Sequence, residues 1–400
     1  MTNRLLIIIV LFLTSACSKA DKDRISLAEK GVGDIVVGVI FPRKSVYYFR
    51  EGLELAIEDL NGKGGVLGRK VRAIVTDDEN SVQKGKEIAR EFAKNPEVVA
   101  VVGHNDSGVA VPVSLIYEMN KIVFMNPCAT TPSLTTHGFR YIFRTVPTDT
   151  AYAAKLAKVA KKKFKAVLIV STDDLYGDTL SDNFSTFAAN LGVKIVGNIH
   201  FPPFEKDIKS EFIRSANLIE GKRFTDKYDS IFLAAEENTA AKIIKIARDL
   251  KVTTPFFGAD NLDAPCLSEV AGDDAVEGTI CCTIAFHGAD GLSPSQASFA
   301  ELFNKKYGIP PNAWTAQAYD TMMILAYAME VAGSTLPNKV AETLHFIQDW
   351  QGITGVYTFD EKGDILDKNS EILVVHNGKG VFDPELTRLV EEIEEGGGAP

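Results

Sequence analysis

Apolar and polar positions along this chain follow two rhythms that take turns. Short β-rich apolar runs at 35–41, 99–102, 122–125, 166–170, 230–234 and 255–258 are each followed by a polar turn. After the turns come stretches with apolar residues at helical spacing. In 48–61 these are Phe49, Leu53, Ala56, Ile57 and Leu60, and the cluster Gly62-Lys63-Gly64-Gly65 ends the helix. The same reading predicts helices over 82–93, 109–119, 151–163, from Tyr176 onward, 208–219 and 239–250, with further strands at 70–76 and 194–199. Alternation of this kind predicts an α/β chain with doubly wound, parallel-rich sheets.

The series breaks at 143–149 and then restarts, which divides it into two lobes. From Gly278 the character changes. A strand at 279–284 leads into helices at 295–307 and 315–332 and a shorter amphipathic one at 340–347. The runs 354–360 and 372–376 read as antiparallel strands around the turn Asp360-Glu361-Lys362-Gly363. These elements are too few for a third domain, so they are expected to complete the first two, with the chain crossing between lobes three times. The predicted partition is 35–147 with 284–348 in the first lobe and 148–283 with 349–382 in the second. An acidic tail, 383–400, is expected to hold a fraying helix.

Arg4 precedes an unbroken apolar run, 5–13. It is far shorter than the roughly 20 residues that span a bilayer, and so reads as a signal peptide over 1–17. Its end, Leu13-Thr14-Ser15-Ala16-Cys17, resembles a bacterial lipobox, with Cys17 as the lipidated residue. Ser18 after that cysteine, by the same resemblance, favours the outer membrane where the cell has one. The polar stretch 18–34 reads as a flexible tether. The expected location is therefore the periplasm or cell surface, held to a membrane by lipid.

Composition narrows the function class. With 400 residues, 46% hydrophobic and 24% charged, the chain can build two ordinary cores. Its net charge of −10 and the absence of long basic runs disfavour nucleic acid as a partner. Apart from Cys17 the cysteines are Cys128, Cys266, Cys281 and Cys282, none at metal-binding spacing. In an oxidising compartment Cys266 has Cys281 or Cys282 as a disulfide partner; the other reading is buried free thiols. The six histidines are scattered, with no His-Asp-Ser or metal grouping, so neither an enzyme nor a cofactor is expected.

The densest chemistry lies at 99–136, where two strand-then-turn units follow one another. Ligands of open parallel sheets bind beyond the carboxyl ends of the strands, where turns and helix starts present hydroxyls and free N–H groups. Ser107 and Thr130, on neighbouring strand ends, suit a carboxylate. The bland alternatives are that Ser107 caps its helix and that Thr130 serves the turn before Pro132.

A family resemblance joins these features. The segment 52–70 (GLELAIEDLNGKGGVLGRK) resembles the first helix and turn of the periplasmic leucine/isoleucine/valine-binding proteins, type I solute-binding proteins of ABC transporters. Matching elements continue in order through Val75-Thr76-Asp77-Asp78, 103–112, 126–136, Phe143-Arg144-Thr145, Leu175-Tyr176-Gly177-Asp178, Phe257-Gly258-Ala259-Asp260, Tyr319-Asp320 and 359–364. The resemblance implies two lobes with three crossovers and a cleft that closes by hinge bending over an amino acid zwitterion. It assigns Ser107 and Thr130 to the carboxylate and the Cys128 carbonyl to the ammonium, and it includes Ala129 among the ligand-binding residues. Tyr176 is implied to close over the ligand and Asp260 to meet its ammonium. An ABC permease is the implied partner.

Two departures bear on the ligand. The loop 41–48 is short and carries Arg43, Lys44, Tyr47 and Tyr48, and Tyr47 is taken as a pocket residue. After the strand at 230–234 come Ala235-Glu236-Glu237-Asn238, with Glu237 taken as the pocket residue. The basic pair suits an acidic ligand and the acidic pair a cationic one, so leucine is not the expected solute. The rival of another class is an outer-membrane lipoprotein of this fold that contacts a cell-wall synthase; a third reading is a ligand sensor.

Overall fold

The computed structural model describes residues 19–42, 48–202, 209–210, 228–286 and 292–396. Its first half runs α1 (Lys19–Lys30), β1 (Ile35–Ile40), α2 (Phe49–Gly62), β2 (Val71–Thr76), α3 (Val82–Lys94), β3 (Val98–Gly103), α4 (Ser107–Met119), β4 (Val123–Asn126) and β5 (Ile142–Arg144). These strands form a five-stranded sheet of order β2-β1-β3-β4-β5, parallel throughout. Every residue of β1, β3 and β4 is buried, the mark of strands covered by helices on both faces.

The second half begins with α5 (Asp149–Lys163), β6 (Ala166–Thr172), α6 (Leu175–Asn190), β7 (Lys194–Phe201), β8 (Ser230–Ala234), α7 (Glu237–Asp249) and β9 (Phe256–Gly258). It continues through α8 (Cys266–Ala271), α9 (Asp273–Val276), β10 (Ile280–Ile284), α10 (Pro294–Tyr307), α11 (Ala313–Ala332) and α12 (Pro337–His345). Last come β11 (Trp350–Gly352), β12 (Gly355–Tyr357), β13 (Ser370–His376), β14 (Lys379–Phe382) and α13 (Pro384–Gly396). The second sheet has seven strands in the order β14-β13-β10-β9-β8-β6-β7, parallel from β7 to β10 and antiparallel at β13 and β14.

The chain leaves the first sheet between β5 and α5. It returns after β10, because α11 packs on α2 of the first lobe, and it crosses a third time before β13. The fold is thus a two-lobed α/β structure. In each sheet the strand order reverses once, between β1 and β3 and between β6 and β8, and those reversals open the crevices where ligands of such sheets sit.

Three expectations are corrected here. The stretch read as a tether is largely the helix α1, docked on α3. It has no apolar stripe to reveal it. It is held by Arg24, only 1% exposed, which donates from Nε to the Val98 carbonyl at 2.7 Å and from Nη2 to the Ala93 and Asn95 carbonyls at 3.0 and 3.1 Å. Ala93 lies in the last turn of α3, where carbonyls lack helical partners and the dipole favours a cation. The acidic tail likewise does not simply fray, because Leu386 and Val390 of α13 are buried in the second core. Finally, the runs 354–360 and 372–376 do not pair with each other. β11 and β12 form their own hairpin, whose Ile353 and Thr354 N–H groups donate to the Asp320 carboxylate on α11, while β13 pairs with β10.

Of the helices expected from sequence, 208–219 lies almost entirely outside the described residues, as do Tyr47 and Cys17. No disulfide forms between Cys266 and its candidates: Cys128, Cys266, Cys281 and Cys282 are buried free thiols. Cys281 and Cys282 point to opposite sides of β10, into different cores.

One buried cation holds the region between the lobes. Arg144, fully buried at the end of β5, donates from Nε and Nη2 to the two oxygens of Asp364, each at 2.7 Å. Its Nη1 donates to the Ala129 and Thr131 carbonyls at 3.3 and 2.5 Å, and its Nη2 also reaches the Thr135 hydroxyl at 2.9 Å. A forked, bidentate arrangement of this kind is among the stronger and more directional polar contacts.

Two substitutions test these anchors. Arg24→Ala is expected to undock α1 and cost about 1.5–3 kcal/mol, the usual scale for hydrogen bonds from a charged group. Hydrogen exchange should then show 19–30 losing protection while β1 and β3 keep theirs; unchanged protection of 19–30 would refute the anchor. Arg144→Met is expected to cost about 3–5 kcal/mol in urea unfolding, because Asp364 keeps its charge and loses its partner. A loss below about 1 kcal/mol would show that the fork is not structural.

Candidate functional site

The carboxyl ends of the parallel strands meet in one small pocket. It is lined by Phe49, Asn105, Ser107, Cys128, Thr130, Tyr176, Glu236, Asp260, Asn261 and Trp314 and comprises about 330 Å³ of non-atom space, part of it open to solvent. From the first lobe, Asn105 and Ser107 follow β3, and Cys128 and Thr130 follow β4. From the second, Tyr176 follows β6, Glu236 follows β8, and Asp260 and Asn261 follow β9. Helices α4 and α6 bring the two lobes into contact.

Backbone geometry aims these turns. Gly103 ends β3 at φ 137°, and a Cβ there would come within 2.1 Å of the Ile40 carbonyl, so only glycine allows the chain to leave β1's side so abruptly. Gly177, in the first turn of α6, would drive a Cβ to 2.2 Å from the Thr172 carbonyl. The close seating of α6 on β6 places Tyr176 at the crevice.

Asp106 is the cap of α4, accepting from the Val109 N–H at 3.0 Å. Ser107 is therefore released from the capping role that was its alternative reading; it is 4% exposed and lines the pocket. The Thr130 hydroxyl is also buried. It lies near the Asp149 carboxyl, yet no partner meets hydrogen-bond geometry. The Thr130 carbonyl accepts from the Asp149 N–H at 2.8 Å, which ties this loop to the first crossover.

Asn126, which the sequence did not single out, builds the loop beneath Thr130. Its Oδ1 accepts from the N–H groups of Cys128 and Ala129 at 2.9 and 2.6 Å, and its Nδ2 donates to the Gly103 and His104 carbonyls. Both backbone groups of Ala129 are thereby engaged, the carbonyl by Arg144, so Ala129 shapes the loop and does not face the pocket. Cys128 does line it. Burial, then the Asp260 carboxylate, push its thiol well above the ordinary range, leaving a neutral group unsuited to nucleophilic chemistry.

Asp260 is 1% exposed and accepts from the Tyr176 hydroxyl at 3.0 Å. Its carboxyl also accepts from the backbone N–H groups of Asp260 and Asn261 in the short 3₁₀ turn it opens. Burial, followed by the nearby Asp149, raises its pKa to about 8. Asp149 is itself raised to about 6, mainly by burial and despite the Thr179 hydroxyl at 2.5 Å. A carboxyl held this far from water, beside a second one, favours any cation that reaches it.

Of the two acidic residues after β8, Glu236 lines the pocket and Glu237 does not; Glu237 opens α7 behind it. Glu236 is half-buried, and burial together with Glu237, Asp106 and Asp174 pushes its pKa well up. The aromatic lining, Phe49 and Trp314 with ring centroids 5.7 Å apart, was not identified from sequence. Phe49 had entered only as a core position of its helix, since periodicity reports burial and not which buried residue borders a cleft. Among the described residues no group of three or more metal-ligating side chains occurs. The pocket can bind a small polar molecule with an apolar portion.

Comparison with known proteins places this pocket in a family. The Leu/Ile/Val-binding protein homolog 1 of Brucella melitensis is 28% identical over 338 residues, covering 83% of this chain and 87% of the relative. A leucine-, isoleucine-, valine-, threonine- and alanine-binding protein of Pseudomonas aeruginosa is 25% identical, with 81% of this chain and 83% of the relative covered. Among solved structures, an ABC transporter substrate-binding protein of Desulfitobacterium hafniense in complex with Leu superposes with a TM-score of 0.74 at 29% identity, covering 88% of this chain and all of the other. The leucine-binding protein LivK of Thermotoga maritima gives a TM-score of 0.79 at 27% identity, covering 87% of this chain and 97% of that one. Residues 34–379 match the periplasmic binding protein profile, and the chain belongs to that family of extracytoplasmic solute-binding proteins, which are not enzymes.

Proposed function

We propose that this protein is an extracytoplasmic lipoprotein, anchored through lipid on Cys17, that captures an amino acid between its two lobes and delivers it to an ABC permease. The ligand's ammonium rests on Asp260, oriented by Tyr176, and its carboxylate on the hydroxyls and backbone N–H groups at Ser107 and Thr130. The observation that carries this reading is convergence. Hydroxyls from two loops of one lobe and a buried carboxyl from the other border a single pocket. The relatives named for leucine, isoleucine and valine support a solute with this zwitterionic head. They do not extend to its side chain, because Glu236 gives this pocket a second carboxyl. Each charge-assisted hydrogen bond contributes about 1.5–3 kcal/mol, so a handful reaches the roughly −8 kcal/mol of micromolar binding. A protein that acted only by contacting a cell-wall enzyme would have no use for buried, opposed carboxylate and ammonium sites.

A thermal-shift and calorimetric screen of the purified, ligand-stripped protein against the twenty amino acids tests the reading. A ligand at a hundred times its dissociation constant stabilises by about 2.7 kcal/mol. Asp260→Asn and Ser107→Ala are each expected to weaken binding roughly 10- to 150-fold, and binding that survives both would sink the assignment.

The pH dependence has a definite sign. Folding raises the Asp260 carboxyl from 3.8 to about 8, so in the ligand-free protein its contribution to stability is full below 3.8 and is lost as pH rises through 8. An ammonium needs the ionised form. Affinity should therefore be steady above pH 8 and weaken by up to about tenfold per unit below it, as one proton is taken up. Titration calorimetry between pH 6 and 9 decides this, and an affinity that rises on acidification contradicts it.

A further inference from the structure

We propose that the captured solute is an α-amino acid with a cationic side chain, whose distal charge is met by Glu236 in the pocket that Phe49 and Trp314 also line. This rests on the zwitterion reading above and names the class of solute for that same site.

Charge accounting carries the argument. The described lining holds two carboxyls, Glu236 and Asp260, and no Lys, Arg or His. A zwitterion brings one cation and one anion. The cation satisfies Asp260, the anion goes to the hydroxyls, and Glu236 is left over. No cation in the described structure answers it. Glu236 stands at the cap position of α7 without capping it; its carboxyl is hydrogen-bonded to that of Glu237, and among the described residues neither acid has an ion-pair partner. Its charged neighbours are Glu237, Asp106 and Asp174, all acidic. Asp106 and Asp174 cap α4 and α6, which belong to opposite lobes, so like charges face one another across the crevice. Asp106 feels Asp174 directly. Like charges so placed oppose closure unless a cation enters between them.

A second observation points to a ligand here. The Thr130 hydroxyl borders the pocket at 1% exposure, and although the Asp149 carboxyl lies near, no partner meets hydrogen-bond geometry, whereas such groups in native interiors are nearly always satisfied. An amino acid carboxylate supplies that partner. The aromatic residues then suit the methylene stem of a basic side chain, and a cation beside them gains further from their ring faces.

The test is calorimetry on the ligand-stripped protein with L-lysine, L-ornithine, L-arginine, L-leucine, L-glutamine, L-glutamate and putrescine. At least one basic amino acid should bind tenfold or more tighter than leucine and glutamine. Glu236→Gln should erase that preference, lowering the basic-to-leucine affinity ratio tenfold or more. Run in two buffers of different ionisation enthalpy, the basic ligand should release more protons than leucine does, a readout that a merely structural Glu236 would not move. If leucine, glutamine or glutamate binds tightest and Glu236→Gln leaves the ratios alone, the cationic class is wrong while the amino acid reading survives. Putrescine outbinding every amino acid, with no effect of Ser107→Ala, would overturn the α-carboxylate half of the proposal. Binding of none of the seven, with the twenty-amino-acid screen also empty, would remove both readings together.

Discussion

Parallel pairing is the constraint on which this molecule depends. Two neighbouring parallel strands need a crossover between them, and the crossover in such folds is right-handed, so every strand delivers its carboxyl end to the same edge of the sheet. With β1, β3 and β4 in one sheet and β6, β8 and β9 in the other obeying this rule, the turns that follow them gather along two edges. Packing those edges against each other makes one pocket from residues as far apart in sequence as Ser107 and Asp260. The hydroxyls of Ser107 and Thr130 come from one lobe and the Asp260 carboxyl from the other, so the zwitterion site proposed above would need both lobes.

The apolar rhythm made the parallel part of the fold legible. Strands such as 230–234 appear where their burial pattern puts them, and the helices after them shift by only one or two residues at their starts. Ser107 and Thr130 were legible for a related reason, as polar residues placed just beyond an apolar run at the end where parallel sheets bind ligands, whereas Tyr176 and Asp260 came from the family resemblance. Glu236 and Glu237 show the limit of that rule. The turn after β8 contains two acids, and which one faces the cleft depends on where the helix begins, a boundary uncertain by more than the single residue that separates them.

Polar burial was illegible, and the reason is physical. Arg24, Arg144 and Asn126 act on backbone carbonyls or N–H groups contributed by distant segments. A backbone group has no signature in sequence, so a buried arginine that serves one reads like any surface arginine. The same cause explains α1. Its docking energy comes from one guanidinium reaching the end of α3, and a helix without an apolar face looks like a tether. The hairpin β11–β12 was misassigned on similar grounds. The pattern of 354–360 suits a strand, but the partner chosen for it is fixed by the Asp320 carboxylate, which accepts from the N–H groups of the turn.

The placement of charge links capture to movement. Two carboxylates about 4 Å apart repel by about 4 kcal/mol at an effective dielectric constant near 20, and by about 1 kcal/mol in bulk water. Closing a cleft that carries Asp106 on one face and Asp174 and Glu236 on the other moves these groups from the second regime toward the first. Neutralising them by proton uptake is one way to relieve the cost; Asp106 is already raised to about 6, first by burial and to a lesser degree by Asp174. The cationic solute proposed above would relieve it without a proton, and most fully in a closed form where it meets carboxyls from both lobes. A ligand shifts a conformational equilibrium only through such a difference in affinity between the two states. On the proposed reading the acidic rim would convert occupancy by a cationic solute into closure.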